Sequence, residues 1–185
     1  MKLRSSLLVL PLFLVACSGG SSSVACEQTY WDGVFGTCLP AGWSVVDRET
    51  LRQRGVPEET ITAFQTDEAV SGQFPTVTVT REQLTQIVTP TQYSEASVRA
   101  VEVLPGYERI DTKDIKIDAG DVTLHIFSLQ PVEDEPRRRF YQESSAVEDV
   151  GYSITATSPL TVDSGLEDEI LLILSKATFT EPVAE

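Results

Sequence analysis

Residues 107–130 read YERIDTKDIKIDAGDVTLHIFSLQ, and the second half of that stretch decides the fold. In an extended chain Val122, Leu124 and Ile126 face one side, and Phe127 and Leu129 face the other. A strand that is apolar on both sides belongs inside a sheet with both faces covered. The turn DAGD (118–121) joins it to the preceding strand, 107–117. Two further strands follow, RRRFYQESSA (137–146) and VGYSITATS (150–158). Together they predict an antiparallel block.

Upstream, FPTVTVTRE (74–82) alternates, with Val77 and Val79 on one face and Thr76, Thr78 and Thr80 on the other, which predicts a strand. TPTQYSEASVRAVEVLPG (89–106) predicts a helix capped by Thr89, with Pro90 in its first turn and Pro105-Gly106 as the stop. Its expected inner face is Tyr93, Ser97, Ala100, Val101 and Leu104. RETLRQRGVPEETITAFQ (48–65) predicts two short helices separated by Gly55, the second opened by Pro57. TYWDGVFGTCLPAGWSVVD (29–47), aromatic and β-branched, predicts a hairpin or two short strands. SGLEDEILLILSKATF (164–179) predicts a last helix, with Ser164 and Glu167 at capping-box spacing and Val162, Leu166, Ile170 and Ile173 on one face. The class is α+β: a curved antiparallel β-sheet with helices on both faces.

The order LPAGW (39–43), helical pair, FPTVTVTRE, helix, four strands, last helix and ATF (177–179) resembles the Mog1/PsbP-like fold. Bacterial lipoproteins with DcrB-like and PsbP-like domains are similar. The resemblance spans about residues 37–179 and implies an α-β-α sandwich. It implies no functional residue, because that fold hosts unrelated functions.

The N-terminus has its own logic. Lys2 and Arg4 precede an apolar run from Leu7 to Val15, too short for the ~20 residues that span a bilayer. Charge, apolar core and small residues in that order describe an export signal. LVAC (14–17) resembles a bacterial lipobox, which implies cleavage before Cys17 and acylation of Cys17. Residues 1–16 are then the signal peptide, 17–25 the lipidated Cys with a Ser/Gly tether, and 26–182 one domain. Ser18 in place of Asp favours the outer membrane, on its periplasmic side. In a single-membrane organism the anchor would lie on the outer face of the cell membrane.

With Cys17 assigned, Cys26 and Cys38 remain as an even pair in an oxidising compartment, and a disulfide is expected. There is no CxxC motif, and the single His cannot complete a zinc site.

Lys2 and Arg4 leave with the signal, so 14 basic residues become 12 against 28 acidic ones, and the net charge of −14 becomes −16. That balance argues against a nucleic-acid partner and against docking on anionic head groups. Membrane contact is expected through the lipid alone.

The chemistry-bearing candidates each have a plainer role. His125 lacks the spacing of a metal or triad motif and reads as a half-buried structural residue. Asp111, Asp114, Asp118 and Asp121 surround a hairpin without the spacing of a calcium loop, so no metal is expected. EDEPRRR (133–139) reads as a hairpin tip whose opposite charges offset one another. No catalytic residue and no cofactor are expected. The reading that results is a lipid-anchored envelope module, non-catalytic, binding another envelope protein. Tyr30, Trp31 and Phe35 are the expected contact residues. The alternative is a lipoprotein that binds a small ligand or a metal, with a concave pocket.

Overall fold

The computed structural model of the protein describes residues 24–181. Cys17, the signal peptide (1–16), most of the tether and Pro182 lie outside the described residues.

Twelve elements follow in order: β1 (Gln28–Trp31), β2 (Gly36–Leu39), β3 (Trp43–Val45), α1 (Arg48–Gln53), β4 (Thr60–Thr66), β5 (Thr76–Gln83), α2 (Pro90–Glu102), β6 (Glu108–Ile117), β7 (Gly120–Leu129), β8 (Arg138–Val147), β9 (Val150–Pro159) and α3 (Ser164–Ser175). The main sheet has seven strands in the order β3-β4-β5-β9-β8-β7-β6, all neighbours antiparallel. β1 and β2 form a separate hairpin. On one face of the sheet lies the core: Val77, Val79, Leu124, Ile126, Tyr141 and Ile154 pack with Phe35 and Leu39 of the hairpin and Ile170, Ile173 and Leu174 of α3. α2 crosses the opposite face, over β7 and β8. The expected architecture, an antiparallel sheet with helices on both faces, is the one observed.

The alternating valines and threonines of β5 explain how it lies. Val77 and Val79 are fully buried in the core, and the threonines face away. Thr76 opposes Thr157 of β9, Thr78 opposes Thr155, and Thr80 opposes Ser153, so the outer face here is lined with hydroxyls. The α2 start is as expected and more complete. Thr89 accepts from the Gln92 N–H, and the Gln92 side chain accepts from the Thr89 N–H, a closed capping box with Pro90 at the first position.

Three expectations fail. The second helix expected after Pro57 is the strand β4, paired with both β3 and β5. Thr60, Ile61, Thr62 and Phe64 are β-branched or aromatic, and the ladder with β5 outweighs the helix-start signal of Pro57 and its following acids. The inner face of α2 is rotated: Ser94 is buried and Val98 partly so, whereas Ala100 and Leu104 are exposed. The reason is in the sheet. β7 pairs with β8 only from His125 onward, and the Ser94 hydroxyl accepts the freed Thr123 N–H at 2.9 Å. Finally, α3 is capped by Asp163, whose carboxylate accepts from the Leu166 N–H at 2.9 Å, so Ser164 is its first residue.

Candidate functional site

The hairpin β1–β2 carries the Cys26–Cys38 disulfide, with Cα atoms 5.6 Å apart. Of its three aromatic residues, Phe35 is removed from the expected contact surface by burial, and Tyr30 and Trp31 are partly exposed. Phe35 is fully buried, in contact with Phe64 and Phe179. The half-buried Tyr30 meets Phe64 edge-on, and its hydroxyl lies 2.9 Å from Thr62 Oγ1. Trp31 folds over Gly36, where a Cβ would come within 2.8 Å of the indole. The hairpin must bury apolar area against the sheet to be ordered at all, and Phe35 and Tyr30 supply it.

His125 is 1 % exposed, deeper than expected. Its Nε2 lies 2.7 Å from the Tyr107 hydroxyl, and its ring lies against Phe127. Among the described residues Nδ1 has no partner. Burial holds the imidazole below its ordinary pKa, opposed by Glu102 and aided by Arg109. Beside it Ser97, Ser144 and Ser153 form a hydroxyl chain with spacings of 2.8 and 2.9 Å. Among the described residues the ring's one hydrogen-bond partner is the Tyr107 hydroxyl, not a serine or a carboxylate. The space between α2 and β7 is too tight for a water molecule.

The aspartates of β6 and β7 have separate tasks. Asp118 Oδ2 accepts from the Thr178 hydroxyl at 2.6 Å and from the Phe179 and Thr180 N–H groups at 2.7 and 3.0 Å. It pins the C-terminal segment to the β6–β7 turn. Asp111 lies 3.5 Å from Lys113. Among the described residues no three His, Cys, Asp or Glu side chains converge.

The 133–139 loop offsets only part of its charge internally. Arg138 pairs with Glu135 at 2.6 Å, but Arg139 reaches Glu167 of α3 at 2.9 Å and Arg137 reaches Glu108 of β6 at 3.3 Å. Arg139 also lies over the Tyr141 ring. The arginines fan out and tie the loop to two other elements.

Two features have no counterpart in the sequence reading. Tyr141, Glu143 and Ser145 lie in one row on β8, each fully or almost fully buried. Among the described residues the Tyr141 hydroxyl, both Glu143 oxygens and Ser145 Oγ have no partner. Burial pushes the Glu143 carboxyl well above its ordinary range, because the charged form is the one that loses water. The second feature is a corner where α2 ends. Val103 is 81 % exposed, Leu104 42 %, Ile110 43 % and Val132 52 %. Arg137 draws the loop of Val132 against the α2–β6 turn by donating to the Gly106 carbonyl.

No family profile matches the chain, and no curated protein matches its sequence. Solved structures do match. LpqN of Mycobacterium tuberculosis, described as involved in cell envelope biogenesis, superimposes with a TM-score of 0.60 at 13% identity, over 78% of this chain and 82% of that one. The Ran-binding protein Mog1p of Saccharomyces cerevisiae gives 0.55 at 12%, over 85% and 96%. Cyanobacterial PsbP of Synechocystis gives 0.53 at 14%, over 88% and 98%. The chain therefore has the Mog1/PsbP-like α+β fold. At these identities the likeness establishes the fold alone.

Proposed function

We propose that this chain is a lipid-anchored, non-catalytic module of the bacterial cell envelope that docks another envelope protein. Cys17 carries the anchor, on the lipobox LVAC. Ser18 directs it to the periplasmic side of the outer membrane, and the Cys26–Cys38 bridge suits that oxidising compartment. The single observation that carries docking is the exposure of Val103 and Leu104 at the corner where α2 ends, with Ile110 of β6 and Val132 of the next loop also exposed. Branched apolar residues at the end of a helix, a strand bulge and a loop tip mark a surface that gains by being covered. Beside the end of α2, Glu102 pairs with Arg109, and Arg137 pairs with Glu108 at the start of β6. The likeness to LpqN, itself involved in cell envelope biogenesis, supports the same setting.

The test is a photocrosslinking residue at position 103 of the full chain in its own envelope. One dominant adduct is expected, lost when Leu104→Asp and Val132→Asp are introduced. The same adducts from a probe at Ser44, on the exposed part of β3 far along the sheet, would refute the corner as the docking site.

A further inference from the structure

We infer that a cleft between α1 and β5 binds a small oxyanion, phosphate or carboxylate, carried on an apolar body. The cleft encloses about 330 Å³, at the small end of ligand-sized pockets. Arg48 and Arg52 of α1 form one wall and Arg81 of β5 the other; Leu51, Val56 and Ile61 contribute apolar lining.

The charge pattern is the argument. The chain carries 28 acidic residues. Seven bases each meet a carboxylate: Arg52, Arg99, Arg109, Lys113, Arg137, Arg138 and Arg139. Among the described residues, Arg48, Arg54, Arg81, Lys116 and Lys176 meet none; Arg54 donates to Gln65 instead, and two of the other four, Arg48 and Arg81, face each other across this one cleft. The partner of Arg52, Glu49, is 3.5 Å away with both side chains mostly in solvent, a contact weak enough to give way to a ligand. Guanidinium groups on opposite walls suit an oxyanion, which can accept from both forks at once.

The surroundings restrict the ligand. Glu58 stands on the rim, and beyond Arg81 a second hollow is lined by Glu58, Glu59 and Glu82. An extended polyanion would be repelled there. A single anionic group fits, with its apolar part on Leu51, Val56 and Ile61. This site is separate from the α2 corner and does not depend on it.

Calorimetry on the full chain in phosphatidylcholine nanodiscs would test the site, with phenyl phosphate and benzoate as probes and inorganic phosphate and phenol as comparisons. At least one probe is expected to bind at one site, more tightly than either comparison. Arg48→Gln with Arg81→Gln should weaken it about tenfold or more. Arg99→Gln with Lys113→Gln, a charge-matched pair of changes outside the cleft, should leave it intact. Because both cleft arginines are exposed, an unchanged melting curve of the double variant separates lost binding from lost fold. Nanodiscs containing phosphatidylglycerol distinguish the source. Weakened probe binding there assigns a lipid head group, and unchanged binding a soluble ligand. Silence with both probes, equal binding of inorganic phosphate, or full binding in the double variant would overturn the inference.

Discussion

Glu143 is a carboxylic acid with 1 % exposure and no partner for either oxygen among the described residues. Burial raises its pKa in the folded state well above the ordinary 4.5. The sign of the linkage follows. Below about pH 4.5 the group is neutral folded and unfolded, and it costs nothing extra. As pH rises, the unfolded chain ionises first and is favoured, so stability is lost from about pH 4.5 up to the raised folded value. Glu143→Gln removes the titration. In urea unfolding the variant should differ little from wild type in its pH trend below that point and lose much less stability between pH 5 and 8. Identical slopes in that range would show that Glu143 does not carry the effect. His125 acts in the opposite sense: its lowered pKa means that stability is lost as pH falls below about 6.5. The burial of His125 was legible in part, from a strand apolar on both faces, but that of Glu143 was not legible in FYQESSA. Polar residues occupy both alternate sets of β8, Gln142 and Ser144 on one and Glu143 and Ser145 on the other, so period two names no inner face.

At the scale of elements, α2 is seated by one close approach. A Cβ on Gly151 of β9 would lie 2.4 Å from Tyr93 Cζ. Tyr93 cannot easily step aside, because its hydroxyl donates to Glu82 at 2.6 Å. Burial, with that carboxylate, pushes the Tyr93 pKa up to about 12. Gly151→Ala should therefore lift the first turns of α2 and cost about 1–3 kcal/mol in denaturant unfolding. Adding Tyr93→Ala should make the Gly151→Ala step nearly neutral. A full cost in both backgrounds would place the strain elsewhere. The sequence announced α2 through Thr89, Pro90 and Gly106, local signals that need no partner. It did not announce which side faces in, because Ser94 turns inward to serve the Thr123 N–H, and that group is free only where β7 parts from β8. The same holds for β4. Its pairing with β3 and β5 decides its state, and pairing is not a local property. β5 and β7 were legible because burial on one face, or on both, leaves a pattern that survives any partner.

For the whole molecule, the question is how an acidic domain reaches a membrane. Among the described residues no helix is long and apolar enough to cross a bilayer. The net charge is −14, or −16 once Lys2 and Arg4 are gone, so anionic head groups repel the domain. Among the described residues seven of the twelve basic side chains are spent on carboxylates, and of the other five, Arg48 and Arg81 line the α1–β5 cleft. Attachment in the proposed reading thus falls to Cys17 alone, where several acyl chains contribute about 0.8 kcal/mol per buried methylene. Cys17→Ser should move the chain from the membrane to the soluble fraction of envelope preparations, with the Cys26–Cys38 bridge intact in a non-reducing digest. High salt should not release wild type, since salt screens charge attraction and leaves acyl burial in place. A Cys17→Ser chain that stays with the membrane until high salt is added would mean that the domain itself adheres, and the lipobox reading would fall while the fold stood.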